Sequence, residues 1–88
     1  MTKLVVQIPC FNEAGTLRKT LASLPRTIEG IETIEILVID DGSSDGTSDV
    51  AHQSGVNYIV RHNQNRGLAT AFQSGLNAAL RKRPAITV

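Results

Sequence analysis

The sequence is poor in cysteine and aromatic residues: among 88 residues it has one cysteine, no tryptophan, two phenylalanines and one tyrosine. The single cysteine, Cys10, cannot form an intrachain disulfide or a cysteine-based metal centre, so we expect a reducing, cytoplasmic compartment. With so few aromatic rings, any core must consist of Leu, Ile, Val and Ala. A formal net charge of +1 creates no field that would attract nucleic acid, so local groups must recognise any charged ligand.

Long hydrophobic runs are also missing. The apolar stretch that follows the N-terminus is interrupted at Pro9, which is too early for the apolar region of a signal peptide or a membrane span. Neither GxxxxGK[ST] nor a GxGxxG after the first strand occurs, which argues against a P-loop or a dinucleotide-binding fold. The hydrophobic content of 41% and charged content of 19% are nevertheless typical of a folded, globular chain.

Three short apolar runs, at residues 4–8, 34–39 and 56–60, are predicted to be strands, and the first is typical of a strand buried on both faces of a parallel sheet. Helical patterns separate them, which implies right-handed crossovers. Residues 84–88 read as the opening of a fourth strand. We therefore predict one α/β domain over residues 1–88, a Rossmann-like parallel sheet with alternating helices, truncated near the start of its fourth strand. Ligands should bind at the carboxyl ends of the strands.

The first helix is predicted from leucines at helical spacing, Leu17, Leu21 and Leu24, with Asn12 as its N-cap. Ser44 or Asp45 should cap a short second helix. The last helix follows Gly67, and its apolar face toward the sheet is predicted to contain Leu68, Ala71, Phe72, Leu76, Ala79 and Leu80.

Asp40 and Asp41 follow the second apolar run directly. Adjacent side chains on a strand diverge, so the two carboxylates are not expected to chelate one metal ion together. One can face a ligand while the other accepts hydrogen bonds from the turn that begins at Gly42. The alternative is that both merely close the turn, because Asp, Gly and Ser are common turn formers.

Four further polar residues are candidates for ligand binding. Glu13 follows the first strand, although an acidic residue is also ordinary at a helix N-terminus. Arg61, His62 and Arg66 flank the third strand and the last helix, where cations and free amides can bind phosphate. Taken singly, these three are more often solvated surface residues. His52 and Cys10 are assigned structural roles.

Three sequence blocks together resemble the family 2 glycosyltransferases. They are PCFNE at 9–13, VIDDGSSDGT at 38–47 and NRGLA at 65–69. The resemblance implies a GT-A fold whose N-terminal part binds the nucleotide of an activated sugar. It assigns nucleotide contacts to Pro9, Phe11, Glu13, Ile39 and Asp41. Candidates for phosphate or turn support are Asp40, Arg66 and Gly67.

The same resemblance implies functions that lie outside this chain. An Asp-x-Asp motif that holds Mg²⁺ or Mn²⁺ on the diphosphate is expected at the end of the fourth strand, beyond Val88, and the catalytic base is expected further on. No catalytic or metal-binding residue is therefore assigned within the chain. We expect it to bind UDP or GDP sugars without transferring sugar alone. The acceptor of the whole enzyme could be a polyprenyl phosphate or a cell-envelope glycan, met in the cytoplasm or at the cytoplasmic face of the membrane.

Two other functions fit the pattern less well. The fold could be a non-catalytic module that binds nucleotide or self-associates through an exposed sheet edge. A phosphoacceptor receiver domain also uses acid pairs at strand ends, but there the acids follow the first strand. Here the first strand ends in Pro9 and Cys10.

Overall fold

A computed structural model describes residues 2–81 and the backbone of residues 86–87. Four strands form one parallel sheet in the order β3-β2-β1-β4, and three helices connect them. This confirms the predicted α/β class and parallel sheet. The elements are β1 (Lys3–Cys10), α1 (Ala14–Ala22), β2 (Thr33–Asp40), α2 (Thr47–Gln53), β3 (Tyr58–Arg61), α3 (Leu68–Arg81) and β4 (Ile86–Thr87).

The register brings the carboxyl ends of β1, β2 and β3 to one edge of the sheet. Cys10 pairs with Asp40, and Asp40 pairs with Arg61. The first strand extends beyond the apolar run at residues 4–8 to Cys10, because Pro9 still pairs with Ile39 and Cys10 with Asp40. The residues that follow each strand therefore emerge side by side at the carboxyl edge.

Helices cover both faces of the sheet, which explains why the strands are continuous apolar runs. On one face, α3 packs on the centre of the sheet through the cluster Val5, Leu37, Ile39, Ala71, Ala78 and Ala79. On the other face, α1 and α2 pack through the cluster Cys10, Leu17, Leu21, Ile36, Val38 and Ala51.

The predicted inner face of α3 is wrong for its largest residues. Leu68, Phe72 and Leu80 are 72%, 54% and 59% exposed, whereas small residues face the sheet. The reason is close approach: a Cβ at Gly75 would lie 2.7 Å from Cδ1 of Ile39. A period count that ranks residues by hydrophobicity overlooks this, because Gly and Ala contribute little to it.

The fourth strand is present in the described residues as Ile86–Thr87, which pair with Leu4 and Val5 of β1. The predicted strand also included residues 84, 85 and 88, which lie outside the described part. Within the described residues, none of the helices has the length and apolar character needed to cross a bilayer.

Candidate functional site

The carboxyl edge of the sheet holds a cavity of about 160 Å³. Its lining residues come from the end of β1 and the turn after it, the turn after β2, the loop before α3 and the start of α3: Pro9, Cys10, Phe11, Glu13, Asp41, Asn65, Leu68 and Ala71. Four of the five predicted nucleotide-binding residues are among them. The fifth, Ile39, is fully buried and does not line the cavity.

Asp41 is the most constrained polar residue of the cavity, with 4% of its surface exposed. Its Oδ1 accepts hydrogen bonds from Nδ1 of His62 at 2.7 Å and from the Arg66 amide at 2.9 Å. Its Oδ2 accepts one from the Gly67 amide at 2.9 Å. A carboxylate oxygen can accept two hydrogen bonds, so Oδ1 is saturated and Oδ2 retains one acceptor position.

The ionised form of Asp41 is stabilised by these bonds. Burial alone would raise its pKa, but the hydrogen bonds from His62 and from the amides of Arg66 and Gly67 outweigh burial and hold the pKa below its ordinary value. Arg66 and Gly67, predicted as candidates for phosphate or turn support, thus contact Asp41 through their backbone amides.

Asp40 has a different environment, although it is adjacent in sequence. Its carboxylate is fully buried and accepts hydrogen bonds from the Ser43 amide at 2.9 Å and from the Ser48 hydroxyl. The Arg61 guanidinium lies 3.7 Å away. Burial raises the pKa of Asp40, and these partners more than compensate, so that the pKa lies below its ordinary value. Asp40 therefore holds the turn and helix that follow β2.

The two lowered pKa values predict acid destabilisation. A carboxylate whose folded pKa lies below its unfolded value of about 3.9 stabilises the fold fully above that value and loses the effect as the pH falls through the folded pKa. We expect the free energy of unfolding, measured with urea, to decline from about pH 5 downward. An Asp41→Asn variant lacks one of these groups and should decline less steeply. An equal decline in both proteins would contradict the assignment.

The turn after β2 is fastened to the start of α1 by side chains. Three consecutive amides donate to it: Asn12 to Oγ of Ser43 at 2.8 Å, Glu13 to Oγ1 of Thr47 at 3.0 Å, and Ala14 to Oδ2 of Asp45 at 3.1 Å. These amides are therefore occupied, and the start of α1 does not offer them to a phosphate. We call this set of contacts the inter-turn clasp.

The clasp also corrects the predicted helix caps. Asn12 does not cap α1: it has a φ of 52°, and its Oδ1 accepts a hydrogen bond from the Ser44 amide at 2.9 Å as part of the clasp. Glu13 occupies the N-cap position and makes no side-chain cap within the described helix. The N-cap of α2 is Gly46, neither Ser44 nor Asp45, although Oδ1 of Asp45 accepts the Thr47 amide at 3.1 Å.

Glu13 and Phe11 lie on the outer wall of the cavity, and both side chains are exposed. The clasp fixes the backbone of Glu13 but leaves its carboxylate directed to a solvent-accessible wall. Cys10, by contrast, is buried at the base, where burial and the charges of Glu13 and Asp40 raise its pKa to about 12. Its thiol is therefore protonated, consistent with a structural residue.

Of the two interpretations of His62, a phosphate contact or a solvated surface residue, the second is wrong. His62 is 8% exposed and connects Asp41 to Oγ of Ser74 on α3, 2.8 Å from its Nε2. Its partners, Asp41 and Ser74, lie 21 and 12 residues away in sequence, so the residues next to His62 give no sign of them. Arg61 contacts Asp40 and the Ser43 carbonyl, at 3.1 Å for the latter, so it too has a structural role.

Asp40 and Asp41 do not form a site for a divalent cation. Asp40 and Asp41 direct their oxygens to internal N–H and O–H donors, and no three His, Cys, Asp or Glu side chains within residues 2–81 converge on a point. A cation bound by this edge would need ligands from elsewhere.

Comparison with known proteins gives consistent matches. The model of the family described as glycosyl transferase family 2 matches residues 5–87. An uncharacterised protein of Methanocaldococcus jannaschii is 40% identical over 86 residues, which is 98% of this chain and 33% of that protein. Validoxylamine A glucosyltransferase of Streptomyces hygroscopicus subsp. jinggangensis is 34% identical over 80 residues, covering 86% and 19% of the two chains.

A solved structure agrees with these matches. The mannosyltransferase PcManGT from Pyrobaculum calidifontis, in complex with GDP-Man and Mn²⁺, superposes with a TM-score of 0.64 at 27% identity, over 90% of this chain and 24% of that one. The chain thus spans a third or less of the length of these relatives. The resemblance seen in the three sequence blocks is confirmed, with the GT-A fold that it implied. The chain belongs to glycosyl transferase family 2.

Proposed function

We propose that the chain is the nucleotide-binding part of a glycosyltransferase, which transfers a sugar from a nucleotide-diphosphate donor to an acceptor. The observation that carries this proposal is the position of the cavity. The strand order reverses between β1 and β4, and α/β sheets bind ligands at the carboxyl ends of strands beside such a reversal. The cavity lies at the end of β1 and combines carboxylates with an apolar wall.

Each predicted residue that lines the cavity has a separate contact with the nucleotide in this proposal. The remaining acceptor position on Oδ2 of Asp41 suits the ring N–H of uracil or guanine. The exposed Glu13 carboxylate can accept the ribose hydroxyls, and Phe11 together with Pro9 provides a wall for the base. Ile39, which is buried in β2, would support the residues that line the cavity. UDP and GDP both carry the required ring N–H.

Transfer itself requires groups beyond these residues. A divalent cation would neutralise charge on the leaving diphosphate, and the complex of the Pyrobaculum enzyme contains Mn²⁺. In this chain, β4 pairs with the start of β1, so the carboxyl end of β4, where the ligands are expected, would lie past Val88. We accordingly assign residues 1–88 to donor binding and expect no transfer by this chain alone.

The acceptor and the place of action are parts of the same proposal. One relative is the poly-beta-1,6-N-acetyl-D-glucosamine synthase of Staphylococcus epidermidis, 36% identical over 75 residues, which are 82% of this chain and 18% of that protein. That protein is named for a polysaccharide product, which supports a glycan as acceptor. We propose a cell-envelope glycan or a polyprenyl phosphate. Such acceptors are met in the cytoplasm or at the cytoplasmic face of a membrane.

Nucleotide binding tests the proposal directly. We expect UDP or GDP to bind the chain in calorimetric titrations, with or without Mn²⁺. Glu13→Gln should raise Kd about tenfold, because a ribose hydroxyl loses a charged acceptor. The matched control is Glu29→Gln, an exposed residue in the connection that contacts Thr2 at the opposite end of the sheet. It should leave Kd unchanged. If neither nucleotide binds the folded wild-type chain, the proposed function is wrong.

A further inference from the structure

His62 bridges three separate parts of the site. It directly follows β3, and its amide donates to the Asp40 carbonyl at 2.9 Å. Its ring is buried, with Nδ1 2.7 Å from Oδ1 of Asp41 and Nε2 2.8 Å from Oγ of Ser74 on α3. A buried ring with both nitrogens engaged has one orientation available, so it can hold its neighbours in place.

The protonation of this triplet follows from its chemistry. The ionised Asp41 can only accept hydrogen bonds, so Nδ1 of His62 carries a proton. In the neutral ring, Nε2 then accepts the hydroxyl proton of Ser74, which fixes the tautomer that serves Asp41. The order Asp–His–Ser also occurs in hydrolases, but Ser74 is not among the described residues that line the cavity. The triplet therefore points to Asp41 and away from a nucleophilic serine.

We propose that His62 and Ser74 are positioning residues, which hold the Asp41 carboxylate so that the acceptor position left on Oδ2 meets the ring N–H of the bound base. The amides of Arg66 and Gly67 each take one carboxylate oxygen. The bond from His62 adds the second contact to Oδ1 and so leaves Oδ2 as the only oxygen with a vacant acceptor position. The inference rests on the proposed nucleotide site. It adds a consequence: the site selects bases by their ring N–H, and His62 is required for that selection.

Base-methylated nucleotides test the selection. UDP and N3-methyl-UDP differ at the one N–H that Asp41 would accept, and GDP and N1-methyl-GDP provide the parallel pair. Wild-type chain should bind the unmethylated member at least about tenfold more tightly, the effect of one charge-assisted hydrogen bond. His62→Leu should raise the Kd for UDP to that for N3-methyl-UDP. It should leave the Kd for the methylated nucleotide within about threefold of the wild-type value.

Conservative and matched variants separate positioning from simple structural support. His62→Asn places an amide N–H near the position of Nδ1 and should restore most of the discrimination. Ser74→Ala, which suits a helix, should reduce discrimination partly, by about threefold. His52→Leu, an exposed histidine on α2, should change neither Kd. If His62→Leu weakens both nucleotides equally, or keeps the ratio of the wild type, the proposal is overturned.

A second readout does not need nucleotide. Hydrogen exchange of the Arg66 and Gly67 amides reports how firmly the carboxylate is held, and ¹⁵N shifts of the imidazole report its tautomer. We expect a proton on Nδ1 in the wild type. Exchange at both amides should be about tenfold faster in His62→Leu and close to the wild-type rate in His62→Asn. Unchanged protection in His62→Leu overturns the positioning role even if nucleotides bind. Failure of nucleotide binding with these NMR results intact would refute the proposed function instead.

Discussion

Replacing Gly42 with alanine is expected to lower the free energy of unfolding by about 3 kcal/mol or more, because a strained backbone and a steric clash add together. Gly42 has a φ of 81°, and a Cβ there would lie 2.3 Å from the Gln64 carbonyl carbon and 2.4 Å from the Asn65 amide nitrogen. These are backbone atoms and cannot rotate aside. The segment that must move leads directly to the amides that hold Asp41.

Gly55→Ala is the matched control for this prediction. Gly55 has nearly the same φ, 77°, but a Cβ there would have no heavy atom within 4 Å. Gly55→Ala should lower the free energy of unfolding by only about 1 kcal/mol, which is the strain of alanine in the left-handed conformation. Urea unfolding of both variants measures the difference. A chain of this length has a total stability of about 4–13 kcal/mol, so Gly42→Ala would remove a large part of it. Equal losses in the two variants would show that the close approach to Gln64 and Asn65 is not needed.

Removal of the Asp41 side chain should have an effect of similar size. Asp41→Ala leaves the His62 ring and the amides of Arg66 and Gly67 without their acceptor, and all three donors meet at a carboxylate that is only 4% exposed. Each buried donor that loses its partner costs about 1–3 kcal/mol, reduced where water can enter. We expect a loss of about 3 kcal/mol in unfolding free energy and no measurable nucleotide binding.

Two comparison variants make this result specific. Asp41→Asn keeps one carbonyl oxygen and should lose less stability than Asp41→Ala. Asp49→Ala removes an exposed carboxylate from the first turn of α2 and should cost only about 0.5 kcal/mol, the effect of a charge near a helix terminus. If Asp41→Ala is no less stable than Asp49→Ala, the bonds to His62, Arg66 and Gly67 do not support the fold.

The sheet was predictable from sequence because each of its first three strands contains a short apolar run of its own. The run at residues 34–39 is apolar except for Glu35, and β2 covers Thr33–Asp40, with residues 36–40 buried on both faces. The third strand was shifted, from 56–60 to Tyr58–Arg61, because Asn57 uses its Oδ1 to accept the Ile36 amide at 2.8 Å before pairing begins. Such a side-chain contact across 21 residues has no local signature.

The sequence predicts which residues of the candidate site lie at one edge of the sheet, but it does not predict the hydrogen bonds between them. Glu13 and Asp41 follow adjacent strands, and parallel topology alone brings them to one edge. The partners of Asp41 were not predictable, since His62 and Gly67 come from a loop whose path depends on the close approach to Gly42. For α3, the predicted stripe was right for Ala71 and Ala79 but wrong for Phe72, because the close approach of the helix to the sheet requires a residue as small as Gly75.

The inter-turn clasp has a consequence for the order of folding. Glu13 is fixed by Thr47 across 34 residues of sequence, and Asn12 by Ser43 across 31. Closing loops of that length is entropically costly and slow relative to forming a helix. We therefore expect the first turn to reach its final geometry only after β2 has paired with β1, because that pairing brings the second turn beside it. The walls of the cavity should accordingly form late, after the central strands have paired.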